Sequence, residues 1–431
     1  MQGKELIETE VMIGSVKYPV VSLPATHSER ESRTKRIVTF VLVCLLSFAA
    51  KVALSFTTYG SNDVLFWEAN LRKIQADGGL ALYRDGAVPS LGGKQYRAEH
   101  FNQLPFMIHV LRAWGTASTV SGVPVRVWLR MSGALADIGM LWLVWAILKA
   151  EGLPVRPPML LLLALSPVSI LVSGFHGNTD PIMVFFTLLS IYLIDSGRFG
   201  WVAGAMLGMA MNIKVVPAIF LPAILLYLTT SRQRIEFTLS AAVVFLAGST
   251  PYLMQDPMLV IHSVFGYRPV SGSWGLSQIA CLISGESLTM YRIIGKPAAV
   301  CTVFLVSTWI HIRAPRTSLF LRCGFLSFLF LFVISGFGPQ YLSWIVPWWV
   351  VLPWKSVRWH YIASAAYVVG FYAVWSRGGW YIANMLEHAS VRAGILPLSL
   401  CAIACWISVG TVALAYRRHL KTASIESALT S

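Results

Sequence analysis

Asp63 is the acid best placed for proton transfer in this sequence. It closes Ser61-Asn62-Asp63, directly after an apolar stretch at 37–57, and opens the segment NDVLFWEANLRKI. A group held between two elements keeps its geometry better than one on a loose loop. As a general base it would take the proton of an attacking hydroxyl; as a structural residue it would cap the helix that starts there. A second polar cluster is Gly174-Phe175-His176-Gly177-Asn178-Thr179-Asp180-Pro181. Turn chemistry explains part of it: Thr179 or Asp180 caps the next helix, Pro181 sits in its first turn and Gly177 permits the bend. His176 and Asn178 are not needed for that, and they supply donors and acceptors. Lys214, in NIKVVPAIFLPAILLYL, and Arg268, in FGYRPVSGSWG, either snorkel to lipid headgroups or await a phosphate. Gln340 and Tyr341, in ISGFGPQYLSWIVPW, either line the same site or belong to an aromatic belt.

These residues need a scaffold, and composition says which kind. Of 431 residues 56% are hydrophobic and 12% charged, with a mean hydropathy of +0.65. Half the usual charge of a soluble domain cannot cover a water-facing surface of this size, and the apolar content excludes disorder. Twelve apolar stretches lie near 37–57, 126–149, 157–174, 179–195, 199–213, 214–230, 237–253, 294–312, 318–335, 340–353, 359–376 and 393–416. The expected fold is therefore all-α: a polytopic membrane bundle of about twelve transmembrane helices. The net charge of +15 comes from Lys and Arg that cluster in alternate short loops. That bias places both termini in the cytoplasm and reads as orientation and contact with anionic lipids, not as a nucleic-acid footprint. The six cysteines form no CxxC or Cys/His cluster, and neither a metal site nor a cofactor is indicated.

Two outer segments are long, 58–125 and 254–293. In the first, Val64, Trp67, Leu71 and Ile74 recur at helical spacing, with Glu68 and Arg72 as an i, i+4 pair on the other side. This predicts an interfacial helix anchored by Trp67, followed by a second one within 101–114. Residues 1–36 are expected to be a disordered tail, 354–416 accessory spans and 417–431 a second tail. Asp137, in VWLRMSGALADIGMLW, is a buried acid. Arg130 lies on roughly its face, so an ion pair within the bundle or a bond to a neighbouring span is expected.

Taken in order, NDVLFWEANLRKI, VWLRMSGALADIG, SPVSILVSGFHGNTDPIMVFF, AMNIKVVPAIFLPAILLYL and FLFVISGFGPQYLSWIVP resemble the GT-C superfamily of membrane glycosyltransferases. The likeness covers roughly 37–353 and is strongest to the glucosyltransferases of lipid-linked oligosaccharide assembly and their mannosyl-transferring relatives. It implies inverting transfer of a hexose from a polyprenyl- or dolichyl-phosphate donor to a glycan, lipid or protein acceptor. The reaction would take place at the outer or lumenal face of a bacterial inner membrane or ER membrane. The family's base, an acid in the first outer loop, falls on Asp63. Its donor and acceptor cleft falls on the HGNTDP turn and the Lys214 region, so His176, Asn178, Asp180, Lys214, Arg268, Gln340, Tyr341 and Trp67 are the expected substrate-binding residues. Near the late spans the sequence departs from the family, with Gly336-Phe337-Gly338-Pro339-Gln340 where a His- and charge-containing turn is usual. The competing reading is a twelve-span secondary transporter or lipid flippase, which requires two related halves and charges at the bilayer midplane, Asp137 being the example.

Overall fold

The computed structural model describes residues 7–13, 16–22, 27–91, 94–95, 100–153, 155–197, 200–267, 271–375 and 388–429. The chain begins with an antiparallel hairpin, β1 (Ile7–Ile13) and β2 (Val16–Ser22), in which Ile7 pairs with Ser22 and Ile13 with Val16. The alternation of Ile7, Thr9, Val11 and Ile13 suits a strand, so the 1–36 segment contains a β-ribbon where a disordered tail was expected. Helix α1 (His27–Thr57) starts ten residues before its apolar stretch.

The segment between the first two spans holds α2 (Asn62–Asp77), α3 (Gly79–Asp85), a two-residue ribbon β3 (Ser90–Leu91) with β4 (Lys94–Gln95), and α4 (Phe106–Ser121). Then come α5 (Val125–Ala150), α6 (Pro157–Ala164), α7 (Pro167–Leu171) and a π turn at Val172–His176. Helices α8 (Asp180–Asp195) and α9 (Gly200–Ile213) lead to a 3-10 turn at Val216–Phe220 and to α10 (Leu221–Tyr227). They are followed by α11 (Ser231–Ala247), α12 (Thr250–Leu253), α13 (Pro257–Phe265), α14 (Gly275–Ile283), α15 (Gly285–Arg313) and α16 (Leu319–Val333). Two 3-10 turns, Pro339–Trp344 and Val346–Val351, precede α17 (Trp354–Trp375) and α18 (His388–Leu429).

The protein is an all-helical polytopic membrane protein, but its apolar stretches do not become twelve spanning helices. Among the described residues five segments are long and apolar enough to cross: Ile37–Thr57, Val125–Ala150, Pro157–His176, Gly285–Arg313 and Pro397–Leu420. Gly200–Ile213, Val216–Tyr227 and Leu319–Val333 are shorter apolar helices. Proline explains two of the differences. Pro217 and Pro222 interrupt 214–230, and Pro339 and Pro347 confine 340–353 to 3-10 turns, because each removes a backbone donor and clashes with the preceding turn. The latter stretch is nonetheless core: Trp344, Ile345, Val346, Trp348 and Trp349 are all buried.

Two buried cations tie the first span to its neighbours. Lys51 lies 2.9 Å from Asp137 Oδ2 and donates to Ser169 Oγ at 2.9 Å. Ser169 and Ser173 both donate to the same carboxylate oxygen. Asp137 is thus held from a neighbouring span. Arg130 does different work: its guanidinium donates to the carbonyls of Ser55 (2.7 Å) and Thr58 (3.0 Å) and to Thr58 Oγ1 (3.0 Å). Those carbonyls are the ones a helix end leaves without partners.

Candidate active site

Helix α2 begins with Ser61 as its cap, whose Oγ accepts from the Asp63 N–H at 3.2 Å. Asp63 is therefore not the capping residue, and its carboxylate is available elsewhere. The same Ser61 hydroxyl donates to the His176 carbonyl at 2.6 Å, joining α2 to the π turn. After that turn Gly177 adopts φ +73°, and a Cβ there would meet Val64 Cγ2 at 2.5 Å. A positive φ and this close approach leave room only for glycine. The bend brings Asn178 Nδ2 to donate to Asp63 Oδ2 at 2.8 Å and His176 Nε2 to within 3.1 Å of the same oxygen. The His176 ring is buried against Tyr372, with centroids 5.3 Å apart.

Burial alone would raise the Asp63 pKa. The His176 and Lys214 charges, with hydrogen bonds from His176 and Asn178, outweigh it and hold the carboxyl below its ordinary value. Its side chain remains 38% exposed, on a cavity wall.

Asp180 opens α8, and its carboxylate, fully buried, turns away from the helix end. Lys214 Nζ donates to both its oxygens, at 2.9 and 2.7 Å, and Trp344 Nε1 donates to Oδ1 at 2.6 Å. The Lys214 ammonium also sits 5.1 Å from the Tyr341 ring centroid and 6.0 Å from that of Trp344. Among the alternatives the sequence left for Lys214, snorkelling is excluded: its side chain is 11% exposed and faces the cavity.

The cavity, about 510 Å³, gathers Asp63, Trp67, His176, Asn178, Lys214, Gln340 and Tyr341 from four separate parts of the chain. Asp180 stands behind Lys214. Arg268 lies outside the described residues. Trp67 is not an interfacial anchor; it is buried and packs edge-on to Phe101 at 6.5 Å. Asn70, His100, Asn102 and Gln103 also line the cavity and were not expected, nor was Trp344 as a partner of Asp180. A polar run at 100–103 inside an outer segment is the signal that could have raised the first group; nothing in local sequence marks the Trp344 contact.

Among the described residues the other acids expected on this face are occupied elsewhere. Asp77 and Asp85 face Lys73 at 2.7 and 3.4 Å, and Asp256 caps α13 through the Leu259 N–H at 3.0 Å. Glu68, expected to pair with Arg72, instead accepts from Tyr59 at 2.6 Å and lies 3.6 Å from Arg126. Glu286 sits in the first turn of α15, away from the cavity lining. Glu99 and Glu387 lie outside the described residues. Among the described residues, then, Asp63 is the acid on the cavity wall. Asp137, on which the transporter reading leans, is closed off by Lys51 and two serines.

Asp63 on the cavity wall and the buried Lys214 beside it thus stand next to an apolar helical bundle. Residues 172–271 match the family described as Mannosyltransferase (PIG-M). GPI mannosyltransferase 1 of Debaryomyces hansenii is 33% identical over 124 residues, 26% of this chain. The matched part is 28% of that relative's length. Among solved structures, ArnT from Cupriavidus metallidurans bound to undecaprenyl phosphate aligns with a TM-score of 0.47 at 17% identity, over 90% of this chain and 78% of that one. The same protein in its apo state aligns at 0.46 and 15%, over 91% and 78%. The family match takes in the HGNTDP turn and Lys214, and the likeness to membrane glycosyltransferases expected from the sequence holds there.

Proposed function

We propose that this protein is an inverting glycosyltransferase that moves a hexose, by family likeness a mannose, from a polyprenyl- or dolichyl-phosphate donor to an acceptor hydroxyl. The observation that carries the reading is the joint placement of Asp63 and Lys214 on one cavity. Both neighbours of Asp63 bind Oδ2, so Oδ1 is the oxygen that takes the acceptor proton. The acceptor oxygen bonds to the anomeric carbon as the bond from that carbon to the phosphate oxygen breaks. The leaving group departs as the lipid phosphate, an anion stable without protonation, so no general acid is required.

Lys214 supports the phosphate end. An ammonium has three donors, and Asp180 takes two of them. Tyr341 and Trp344 hold the charge in place through their ring faces. A fixed cation at the point where charge develops stabilises the transition state without reorganisation. A narrow apolar crevice of about 20 Å³, lined by Leu188, Val216, Phe220, Phe330, Trp344 and Trp348, adjoins this cavity. Val216 borders both spaces. The site would face the outer or lumenal side, with both termini cytoplasmic.

The test is incubation of the purified protein with a panel of polyprenyl-phosphate sugars and extracted lipid acceptors, read by mass spectrometry. One donor should yield a product one hexose heavier than its acceptor. Asp63→Asn should lower transfer at least a hundredfold while leaving membrane insertion and donor binding intact. Substantial residual transfer in that variant would sink the assignment of the base.

A further inference from the structure

A second cavity, about 330 Å³, opens between the end of α15 and the 417–420 turn of α18. Its floor is apolar: Ile310, Ala314 and Leu420 are all buried. Its rim carries Trp309, Arg313 and Arg417. Both arginines occupy the last turns of segments long and apolar enough to cross a membrane, Gly285–Arg313 and Pro397–Leu420. They therefore stand at headgroup depth, with Trp309 one turn deeper, where aromatic residues gather.

Among the described residues neither Arg313 nor Arg417 pairs with a carboxylate. Arg417 is nonetheless held, its guanidinium 5.3 Å from the Trp309 ring centroid. A guanidinium positioned before its ligand arrives loses less freedom on binding. Planar forks of this kind match phosphate oxygens in bidentate geometry.

Two guanidiniums with no carboxylate partner among the described residues fit a phosphate group, and the apolar side chains beside them favour one carried on an apolar body. We propose that this cavity binds a phosphate headgroup, with Arg313 and Arg417 on the phosphate oxygens and the acyl-chain side of an anionic phospholipid running from the cavity past Ile310 and Trp309, one turn deeper in the membrane. The site is separate from the transfer site and does not depend on what that site transfers.

The test uses the full chain in nanodiscs containing phosphatidylglycerol and phosphatidylcholine, followed by native mass spectrometry of lipids retained after release. The expected result is preferential retention of phosphatidylglycerol, reduced on the order of tenfold in Arg313→Gln/Arg417→Gln. Lys149→Gln is the control. Lys149 also sits on a tryptophan, 5.6 Å from the Trp145 ring centroid, but does not line this cavity, and its loss should leave retention unchanged. Trp309→Leu keeps both cations and frees Arg417, so a smaller drop is expected; it carries the test if the double variant does not fold. A parallel arm adds millimolar inorganic phosphate: displacement of the lipid assigns recognition to the phosphate alone, and persistence assigns it to headgroup and chain together. Equal retention of the two lipids, or retention unchanged in both the double variant and Trp309→Leu, overturns the proposal.

Discussion

Among the described residues two aspartate–lysine pairs are buried, and they differ in what surrounds them. Lys51 and Asp137 are sealed, with side chains 0% and 5% exposed, and Ser169 and Ser173 complete the carboxylate's shell. Lys214 and Asp180 are nearly as buried, but Lys214 forms part of a cavity wall and aromatic rings stand where the serines would be. The first pair closes a polar defect between spans. The second holds a cation ready for something that enters. Sequence alone presents both as a charge in an apolar run; the packing around each decides which is which.

Removing one partner from either pair leaves a bare buried charge, a loss of about 3–5 kcal/mol. Removing both should separate the pairs. Lys51→Met with Asp137→Leu should regain most of the lost thermal stability and keep transfer within severalfold of the parent. Lys214→Met with Asp180→Leu should regain stability while transfer falls at least a hundredfold. Thermal unfolding and a transfer assay on the four single and two double variants measure this. Equal recovery of transfer in both double variants would erase the distinction.

A smaller effect concerns the base. Asp63 has its pKa depressed in the folded protein, so its ionised form contributes stability above the unfolded value, and that contribution is lost as pH falls through the lower folded value. Transfer should accordingly persist on the acid side down to the ordinary carboxylate range. His176→Phe keeps a ring against Tyr372 but removes the charge and hydrogen bond that oppose burial. The acid limb of kcat/KM should then move to higher pH. An unmoved limb would mean that His176 does not act on Asp63.

The smallest expected effect is at Trp344. Trp344→Phe removes one donor from the buried Asp180 carboxylate and keeps the ring beneath Lys214, for a loss of about 1–3 kcal/mol. Asp180 should then hold Lys214 less rigidly, raising the donor KM more than it lowers kcat. A drop in kcat alone would place Trp344 in the chemistry rather than in support of Lys214.

Much of this site was legible in the sequence because polar residues stand out against an apolar background. Asp63, His176, Asn178 and Lys214 were singled out on that ground, and they meet on one cavity. What was not legible is pairing over long separations. Neither Lys51 with Asp137 nor Trp344 with Asp180, 164 residues apart, leaves a trace in local periodicity. Hydropathy also cannot tell a spanning helix from buried 3-10 turns, so 340–353 was misread although Pro339 and Pro347 were visible. Trp67 was given a lipid-facing role because an amphipathic helix shows which face is apolar, not what covers it.

Ser61 has one consequence for how the site moves. Its hydroxyl binds the Asp63 amide and the His176 carbonyl together, while Arg130 fixes the carbonyls at the end of α1 just before it. The carboxylate and the imidazole therefore share one mechanical mount. Any movement of α2 would carry those two groups together, and the spacing left to change would be the one between that unit and Lys214.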